Sequence, residues 1–423
     1  MVIGENIMKK SRNILVTGGY GYTNLGDEAQ CEATLELLTK RYPQYQIINL
    51  TPDVNHSKDI HPKFFHDYAS RTAFFNQGLP FNIYSFGKIW TIPVFLLKSL
   101  WILFNSYLVK YDLPPLFLNP RSVKFLQQLK EASLFYYCGG GFLTGKTLSR
   151  LWDGILICLL CKIFKTPVVM SGQTIGVWNG IYNELFAKWA FKSVNVITVR
   201  DEEFSLKDLE KIGIKGEHCF ATHDDALHSP KSEERQIDCD NYITLNFHYW
   251  GMKGKQKEIY IDKINKIVNY IIDNTNYNIV FIPMTQTDTD SFDDYLKKYP
   301  NDRIKVYEFN LDFRKIRRVI ADSKMCITMK HHPIIFAMGE DVPTISLAFS
   351  DYYVHKNVGA LAQYGQEKFS VNLEDNNYYE KFTQLYKELS ENRNEIISVI
   401  QNRKSILDER KEKFLQMVDK ILN

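Results

Sequence analysis

The sequence predicts an α/β protein of two Rossmann-like domains facing across a cleft, with a long C-terminal helix. Three observations predict it. Short runs of strand character alternate with helical runs at residues 13–17, 46–50, 133–138, 167–170 and 194–199, the alternation of βα units in a parallel sheet. The cycle restarts at 242–246 and continues through 278–283, 325–328 and 342–347. Residues 228–241 between the two series are charged and poor in apolar side chains, and read as a linker. The expected domains are residues 1–235, carrying an inserted aromatic helix at about 89–109, residues 236–375, and a helical segment over 376–423.

The totals narrow the function. A length of 423 residues suits two domains, and 45% hydrophobic with 24% charged residues is ordinary for a globular chain. A net charge of +3, with no basic arm, gives no footprint for nucleic acid. Seven cysteines, at 31, 138, 158, 161, 219, 239 and 326, are odd in number and lie mostly in apolar runs. They read as reduced core thiols of a cytoplasmic protein. Cys158 and Cys161 lack a second pair to complete a zinc site, and no metal is expected. The first thirteen residues have no long apolar core, so no signal peptide is expected there.

The first strand, 13–17, runs into GGYGYTNLGDEAQ and a helix at 29–38. Glycines 18, 19 and 21 allow a tight turn close to a ligand. They miss the dinucleotide fingerprint, because Asn24 stands where its third glycine belongs. Asp27 and Glu28 open the helix, where carboxylates are also favourable as caps. Residues 54–80 read as loop.

The run at 89–109 is apolar except for a stripe at Thr91, Lys98 and Asn105, beside Ser99 and Ser106. With Trp90, Trp101 and flanking Lys88 and Lys110 it suits a helix lying on a membrane surface. Burial between domains is the alternative, and a full span would place Lys98 expensively at its centre.

Residues 133–138 form a buried strand followed by Gly139, Gly140 and Gly141. Residues 140–147 (GGFLTGKT) match the phosphate-loop pattern, with Lys146 as its lysine, but no acidic metal-binding strand follows. A helix at 151–164, a strand at 167–170, a loop at 171–176 and a helix at 185–191 come next. The strand at 194–199 delivers Arg200 to a strand-to-helix junction, a place for binding an anion or for pairing with a carboxylate.

In the second half, helices are expected at 257–272 and 311–320, and a continuous helical segment at 378–422. The strand at 325–328 hands over to Lys330, His331, His332 and Pro333, then to an apolar helical turn ended by Gly339. In open α/β sheets, ligands bind where strand ends and helix starts converge. The helix start favours anions, and histidine titrates near neutral pH.

These segments together resemble the polysaccharide pyruvyl transferase family. GGYGYTNLGDEAQ is similar to its opening motif, the glycines after Tyr137 to its second, SGQTIGVW to its third and TVRDEEFS to its arginine motif. Asp224 in HDDAL resembles an acidic residue near the domain junction, and ITMKHHPIIFAMGEDVPTISL the C-terminal motif. Lys330 stands where the family has arginine, and His331 where it has leucine. Lysine keeps the charge but loses the bidentate fork.

The resemblance implies a GT-B-like fold and transfer of a pyruvyl group from phosphoenolpyruvate to a sugar of a surface polysaccharide or its lipid-linked precursor. The product is a pyruvate ketal, and no cofactor is needed beyond the donor. His332, Arg200 and Asp27 are the implied catalytic residues. His332, with a pKa near neutral, would deliver a proton and later remove a hydroxyl proton, with His331 as its understudy, and Asp27 would bind or deprotonate the sugar. The implied substrate-binding residues are Lys330, His331, Gly19, Gly21, Asn24, Gly26, Glu28, Gly139, Gly140, Gly141, Gln173 and Asp224. A lipid-linked acceptor would place the enzyme in the cytoplasm, peripheral on the inner membrane, through 89–109. The rival readings are a glycosyltransferase of the same fold with a nucleotide-sugar donor, and an ATP-using or non-catalytic protein built on 140–147.

Overall fold

A computed structural model describes residues 11–75, 88–178, 180–249 and 251–423. The N-terminal sheet comprises β1 (Asn13–Thr17), β2 (Gln46–Thr51), β3 (Phe65–Tyr68), β4 (Leu134–Tyr137), β5 (Gly140–Thr144), β6 (Val168–Gly176), β7 (Val196–Val199) and β8 (Cys219–Ala221). Its order is β3-β2-β1-β4-β6-β7-β8, with β5 paired to the end of β6. The C-terminal sheet comprises β9 (Tyr242–Asn246), β10 (Asn278–Phe281), β11 (Ile304–Val306), β12 (Cys326–Thr328), β13 (Thr344–Ala348) and β14 (Ser370–Asn372), in the order β11-β10-β9-β12-β13-β14. The strand pairings are parallel. Strands covered on both faces need continuous apolar runs, and every residue of β4 and β9 is buried.

The first domain carries helices α1 (Leu25–Arg41), α2 (Val54–Ile60), α3 (Ser70–Phe75), α4 (Lys88–Lys110), α5 (Pro120–Glu131), α6 (Leu148–Phe164), α7 (Ile181–Phe191) and α8 (Lys207–Lys211). The second carries α9 (Gly254–Asn274), α10 (Gln286–Lys298), α11 (Phe313–Ala321), α12 (His331–Gly339) and α13 (Asp351–Ala362), followed by α14 (Tyr378–Glu391) and α15 (Arg393–Leu422). Strand order reverses between β1 and β4 in one sheet and between β9 and β12 in the other. Such switch points open a crevice at the strand ends, and the loops after β1, β4 and β12 meet there.

Several expectations are corrected. Residues 54–75 are not loop: they form α2, the edge strand β3 and α3, with Asp53 capping α2 by accepting from the Asn55 and His56 N–H groups. The rest of that stretch, 76–80, lies outside the described residues. Residues 171–176 continue β6 rather than leave it, because a register shift between Met170 and Gln173 keeps the strand paired with β7. The helix expected from 29 starts at Leu25, because Asn24 caps it by accepting from the Gly26 N–H. The single helix expected over 378–422 breaks at Asn392, between α14 and α15.

The phosphate-loop reading of 140–147 also fails. Gly140–Thr144 is the strand β5, and Gly145–Thr147 is a single tight turn. The Thr147 hydroxyl, which would hold a magnesium ion in a phosphate loop, donates to the Phe142 carbonyl at 2.7 Å.

The helix α4 does not lie between the domains. It packs on α5 and α6 on the outside of the first domain. Its polar stripe divides: Asn105, with Ser99 and Ser106 beside the stripe, is buried, whereas Lys98 is exposed. The side chains of Trp90 and Thr91 lie outside the described residues. Among the described residues no helix is long and apolar enough to cross a membrane.

The C-terminal helix ties the halves together. Ile396, Ile400 and Leu407 of α15 join the core of the second domain. Phe414, Leu415 and Val418 further along pack with Ile14, Leu35 and Tyr136 of the first. Arg41 of α1 fixes the end of the strap through Glu412 at 2.8 Å and Asp419 at 2.6 Å. These exposed ion pairs are worth little each, so the apolar contact carries the strap. Phe414→Ala should therefore lower unfolding free energy by about 3–5 kcal/mol, whereas Arg41→Ala should lower it by less than about 1 kcal/mol. Urea denaturation measures both, and the reverse ranking would show that charge rather than packing holds the strap.

Candidate active site

The cleft is organised on one buried carboxylate. Asp224 follows β8 and is fully buried. Its Oδ2 accepts from Arg200 Nη1 at 2.5 Å and lies 3.2 Å from His331 Nε2. Its Oδ1 accepts from Gln30 Nε2 at 2.8 Å and from the Ala226 N–H at 2.9 Å. Burial alone would raise this carboxyl, but Arg200 and His331 outweigh it and hold it well below the usual range. One acid thus fixes an arginine after β7, a glutamine on α1 and a histidine on α12.

A cavity of about 210 Å³ opens in front of this cluster. Gly19, Asn24, Asp27, Gly141, Phe142, Arg150 and Arg200 line it from the first domain. Met284, Lys330, His331, His332, Tyr353 and Lys356 line it from the second. A further cavity of about 310 Å³ shares Arg200, His331 and Lys356 with it and extends past Lys146, Thr174, Asp201, Glu203 and Phe204. The two cavities adjoin at these shared residues.

Asp27 and His332 face each other across the smaller cavity, with Oδ1 to Nε2 at 3.9 Å. Their ordinary pKa order is reversed. Burial lifts Asp27 to about 6, against the pull of Arg150 and Lys356. Burial, eased by Asp224 and reinforced by Arg200, Lys356 and Lys330, drops His332 to about 3. His332 is therefore neutral in the empty cleft, which corrects the expectation of a near-neutral pKa. Its Nε2 is buried without a hydrogen-bond partner, as is Nδ1 of His331. Buried polar atoms are usually satisfied, so these two mark where a ligand fits.

Gly26 explains how the histidine reaches its place. A Cβ there would lie 2.0 Å from the His332 ring, so only glycine lets the ring lie against the start of α1. The Leu25 N–H also donates to the Met284 carbonyl across the domains.

The cations differ in availability. Arg200 is engaged by Asp224 through Nη1 and by Thr174 Oγ1 through Nε at 2.6 Å, leaving Nη2 beside Gly141. Lys330, expected to bind substrate, is already paired: Asp288 of α10 lies 2.6 Å from it, and its ammonium donates to the Thr285 hydroxyl at 2.8 Å. Among the described residues Lys356 and Arg150 have no ion pair. Arg150 lies 4.9 Å over the Tyr22 ring. Burial, then the charge of Arg200, depresses Lys356 to about 8.

Lys356 and Arg150 were missed in the sequence. Lys356 sits on α13, within 351–362, where no helix was recognised, and neither belongs to a motif. Their signal was only a cation a turn or so into a helix after a strand.

Other expected substrate-binding residues serve the framework. Glu28 is corrected: its carboxylate accepts from the Gly21 N–H at 2.8 Å and lies 2.9 Å from His61 Nε2. Burial would raise it, but His56, His61 and the Gly21 amide bring it down to about 2. Gly21, at φ +86°, is required because a Cβ would press on Thr51 and Pro52, and it does not line the cavity. Gln173 is buried behind the cleft, donating to the Cys138 and Ser171 carbonyls at 2.6 and 3.0 Å. The Gly139 N–H donates to Asp225, which also holds Lys411 of α15 at 2.5 Å. Gly140 packs on Phe142. Of the three glycines, only Gly141 reaches the cavity.

The model of the family described as polysaccharide pyruvyl transferase matches residues 24–351. A comparison with curated protein sequences finds no match. Among solved structures, the chain is similar to the S. aureus MnaA-UDP co-structure, with 12% identity over 93% of this chain and 90% of that chain and a TM-score of 0.55. It is also similar to UDP-GlcNAc 2-epimerase from Neisseria meningitidis bound to UDP-GlcNAc, with 12% identity over 95% and 100% and a TM-score of 0.54. Phytolacca americana UGT2, complexed with UDP-2fluoro-glucose and pterostilbene, gives 9% identity over 93% and 94% and a TM-score of 0.51. At such identities the likeness establishes the two-domain fold alone.

The reversed pair is directly measurable. In the ligand-free protein, NMR of the His332 ring should show a neutral imidazole from about pH 8 down to about pH 5, where an ordinary histidine is mostly protonated. A protonated ring already at about pH 6 would contradict the burial argument.

Proposed function

The chain belongs to the polysaccharide pyruvyl transferase family, and from that premise we propose that it moves a pyruvyl group from phosphoenolpyruvate to two hydroxyls of a sugar, forming a ketal. The sugar belongs to a surface polysaccharide or its lipid-linked precursor, met at the cytoplasmic face of a membrane. The observation that carries this reading is the charge arrangement of the cleft, where Arg150, Arg200, Lys330 and Lys356 surround the single carboxylate of Asp27. A small donor with both a carboxylate and a phosphate needs several cations at short range.

In this reading, Lys356, Arg150 and the remaining Nη2 of Arg200 take the donor anions, and the larger cavity takes the sugar. Asp27, held protonated more readily than an ordinary acid, gives its proton to the methylene carbon, which becomes a methyl group. The adjacent carbon becomes electrophilic. Neutral His332 removes the proton of the attacking hydroxyl, and a C–O bond forms. Phosphate then leaves with one proton, and the second hydroxyl closes the ketal after losing its own. The sugar gives up two protons in all: one balances the new methyl group and one leaves with phosphate. Environments that push two pKa values apart assign the acid and base roles in this way. Of the two roles expected of His332, this reading keeps the base and gives the acid to Asp27.

Steady-state kinetics tests the proposal. Lys356→Ala and Arg150→Ala should each raise the donor KM by about ten- to a hundredfold, the worth of one charge-assisted hydrogen bond. Lys330→Ala should do less to KM and more to stability, since it leaves Asp288 unpaired. Asp27→Asn and His332→Ala should each lower kcat by about a hundredfold or more, and His331→Ala by less. Because the acid must carry its proton, kcat/KM should fall as pH rises through about 6, the pKa of Asp27, and Asp27→Asn should lose that limb. Turnover of a UDP-sugar with no use of phosphoenolpyruvate would favour the glycosyltransferase reading instead.

A further inference from the structure

The surface of the first domain is turned inside out around α4. On a helix covering a soluble domain, the polar stripe faces water. Here Asn105 and Ser106 face inward, and Leu97, Leu100 and Trp101 face outward, Leu97 being 67% exposed. The buried stripe has a task. Asn105 Oδ1 accepts from the Leu116 N–H at 2.6 Å, and Lys130 donates to the Val109 carbonyl at 2.9 Å and to Asp112 at 2.5 Å. These bonds hold the turn after α4 so that Phe117 stands out, 94% exposed, with a positive φ of 48°. A non-glycine residue in that region stores strain, and here it presents an aromatic ring to solvent.

A second helix shares the pattern. The helix α7 packs on α6, as α4 does. It exposes Tyr182, at 74%, and Trp189, at 52%. Two apolar-faced helices bridged by α6, with a projecting phenylalanine, exceed the scattered apolar residues of an ordinary surface.

We propose that α4, the turn at 111–117 and α7 together form a platform that seats the protein on a bilayer containing anionic lipid. Charge complementarity chooses this occupant. Residues 88–192, which hold the platform, carry twelve lysines and arginines against four acidic residues, while the whole chain is only +3. The remainder is therefore acidic on balance, and the segment that builds the platform stays basic after setting aside Lys146 and Arg150, which line the cleft. Lysines stand among the apolar groups: Lys98 lies 6.0 Å from the Phe75 ring, Lys110 5.7 Å from Tyr111 and Lys162 5.9 Å from Trp189. Tryptophan, tyrosine and lysine together are the composition of a membrane interface. A second copy of the chain is a poor occupant, because protein interfaces deplete lysine at their centre and two such faces would repel.

The proposal rests on the membrane placement of the proposed function and not on its donor chemistry. Sedimentation with vesicles of phosphatidylcholine, with and without phosphatidylglycerol, tests it. The wild type should bind the anionic vesicles more tightly and release as salt rises. Phe117→Ser, the pair Leu100→Gln with Trp101→Gln, and the pair Tyr182→Ser with Trp189→Gln should each weaken binding by about tenfold or more. The α7 pair separates a two-helix platform from attachment by α4 alone. Since these residues are exposed, melting curves should stay unchanged. Quenching of wild-type tryptophan fluorescence by brominated lipid gives a readout that needs no variant. Lys356→Ala should bind vesicles normally, so a failed donor site and a failed platform give different results. The proposal is overturned if the wild type ignores anionic vesicles, if the variants bind as well as wild type, or if the variants abolish a dimer seen by light scattering.

Discussion

The site depends on a carboxylate that never meets solvent. Asp224 is fully buried and holds Arg200, Gln30 and His331 at once. A buried ion pair is weak evidence for stability, yet removing one partner is strongly destabilising. The fold therefore commits three elements, from both domains, to one geometry before any ligand arrives. Half of the Arg200 fork is used in that framework. The charges left over for an anion are those with no carboxylate of their own, chiefly Lys356 and Arg150.

The same economy governs the Asp27 and His332 pair. Taking both from water favours the neutral form of each, which raises the acid to about 6 and lowers the base to about 3. Proximity at 3.9 Å is possible because Gly26 has no side chain. The domain strap α15 and the contact of α1 with the second domain keep that distance defined. An anionic donor entering beside His332 would raise its pKa, so the empty cleft is poised for charge rather than already holding it.

The architecture was legible because parallel strands buried on both faces write themselves as continuous apolar runs. The runs at 134–137 and 242–246 are examples. The edge strand β3 (FHDY) was not legible: it is polar, short and half paired, and reads as loop. The strand extension through Ser171–Gly176 was hidden by glycine, although the bulge there needs it. At the site, Asp27, Arg200, Lys330, His331 and His332 lie at strand-to-helix junctions, and the structure gathers them around one cavity. Glu28 and Gln173 sit in the same motifs, yet the Glu28 carboxylate is spent on His61 and the Gln173 Nε2 on backbone carbonyls. A motif marks a constrained residue without saying whether ligand or framework constrains it. Lys356 was illegible for the opposite reason, since a lysine inside a helix is the commonest solvent-facing pattern. The 89–109 helix was read as amphipathic, but only the structure shows that Asn105 and its neighbouring serines face in while Lys98 and the leucines face out.

The most direct measurement follows the fate of the donor. The protein is incubated with phosphoenolpyruvate and a panel of free and lipid-linked saccharides. Phosphorus NMR follows the phosphate, and mass spectrometry follows the sugar. The account predicts inorganic phosphate released in step with a sugar that gains one pyruvate less one water, and neither product with Asp27→Asn. Unchanged phosphoenolpyruvate in the presence of an acceptor that the protein glycosylates from a UDP-sugar would contradict it.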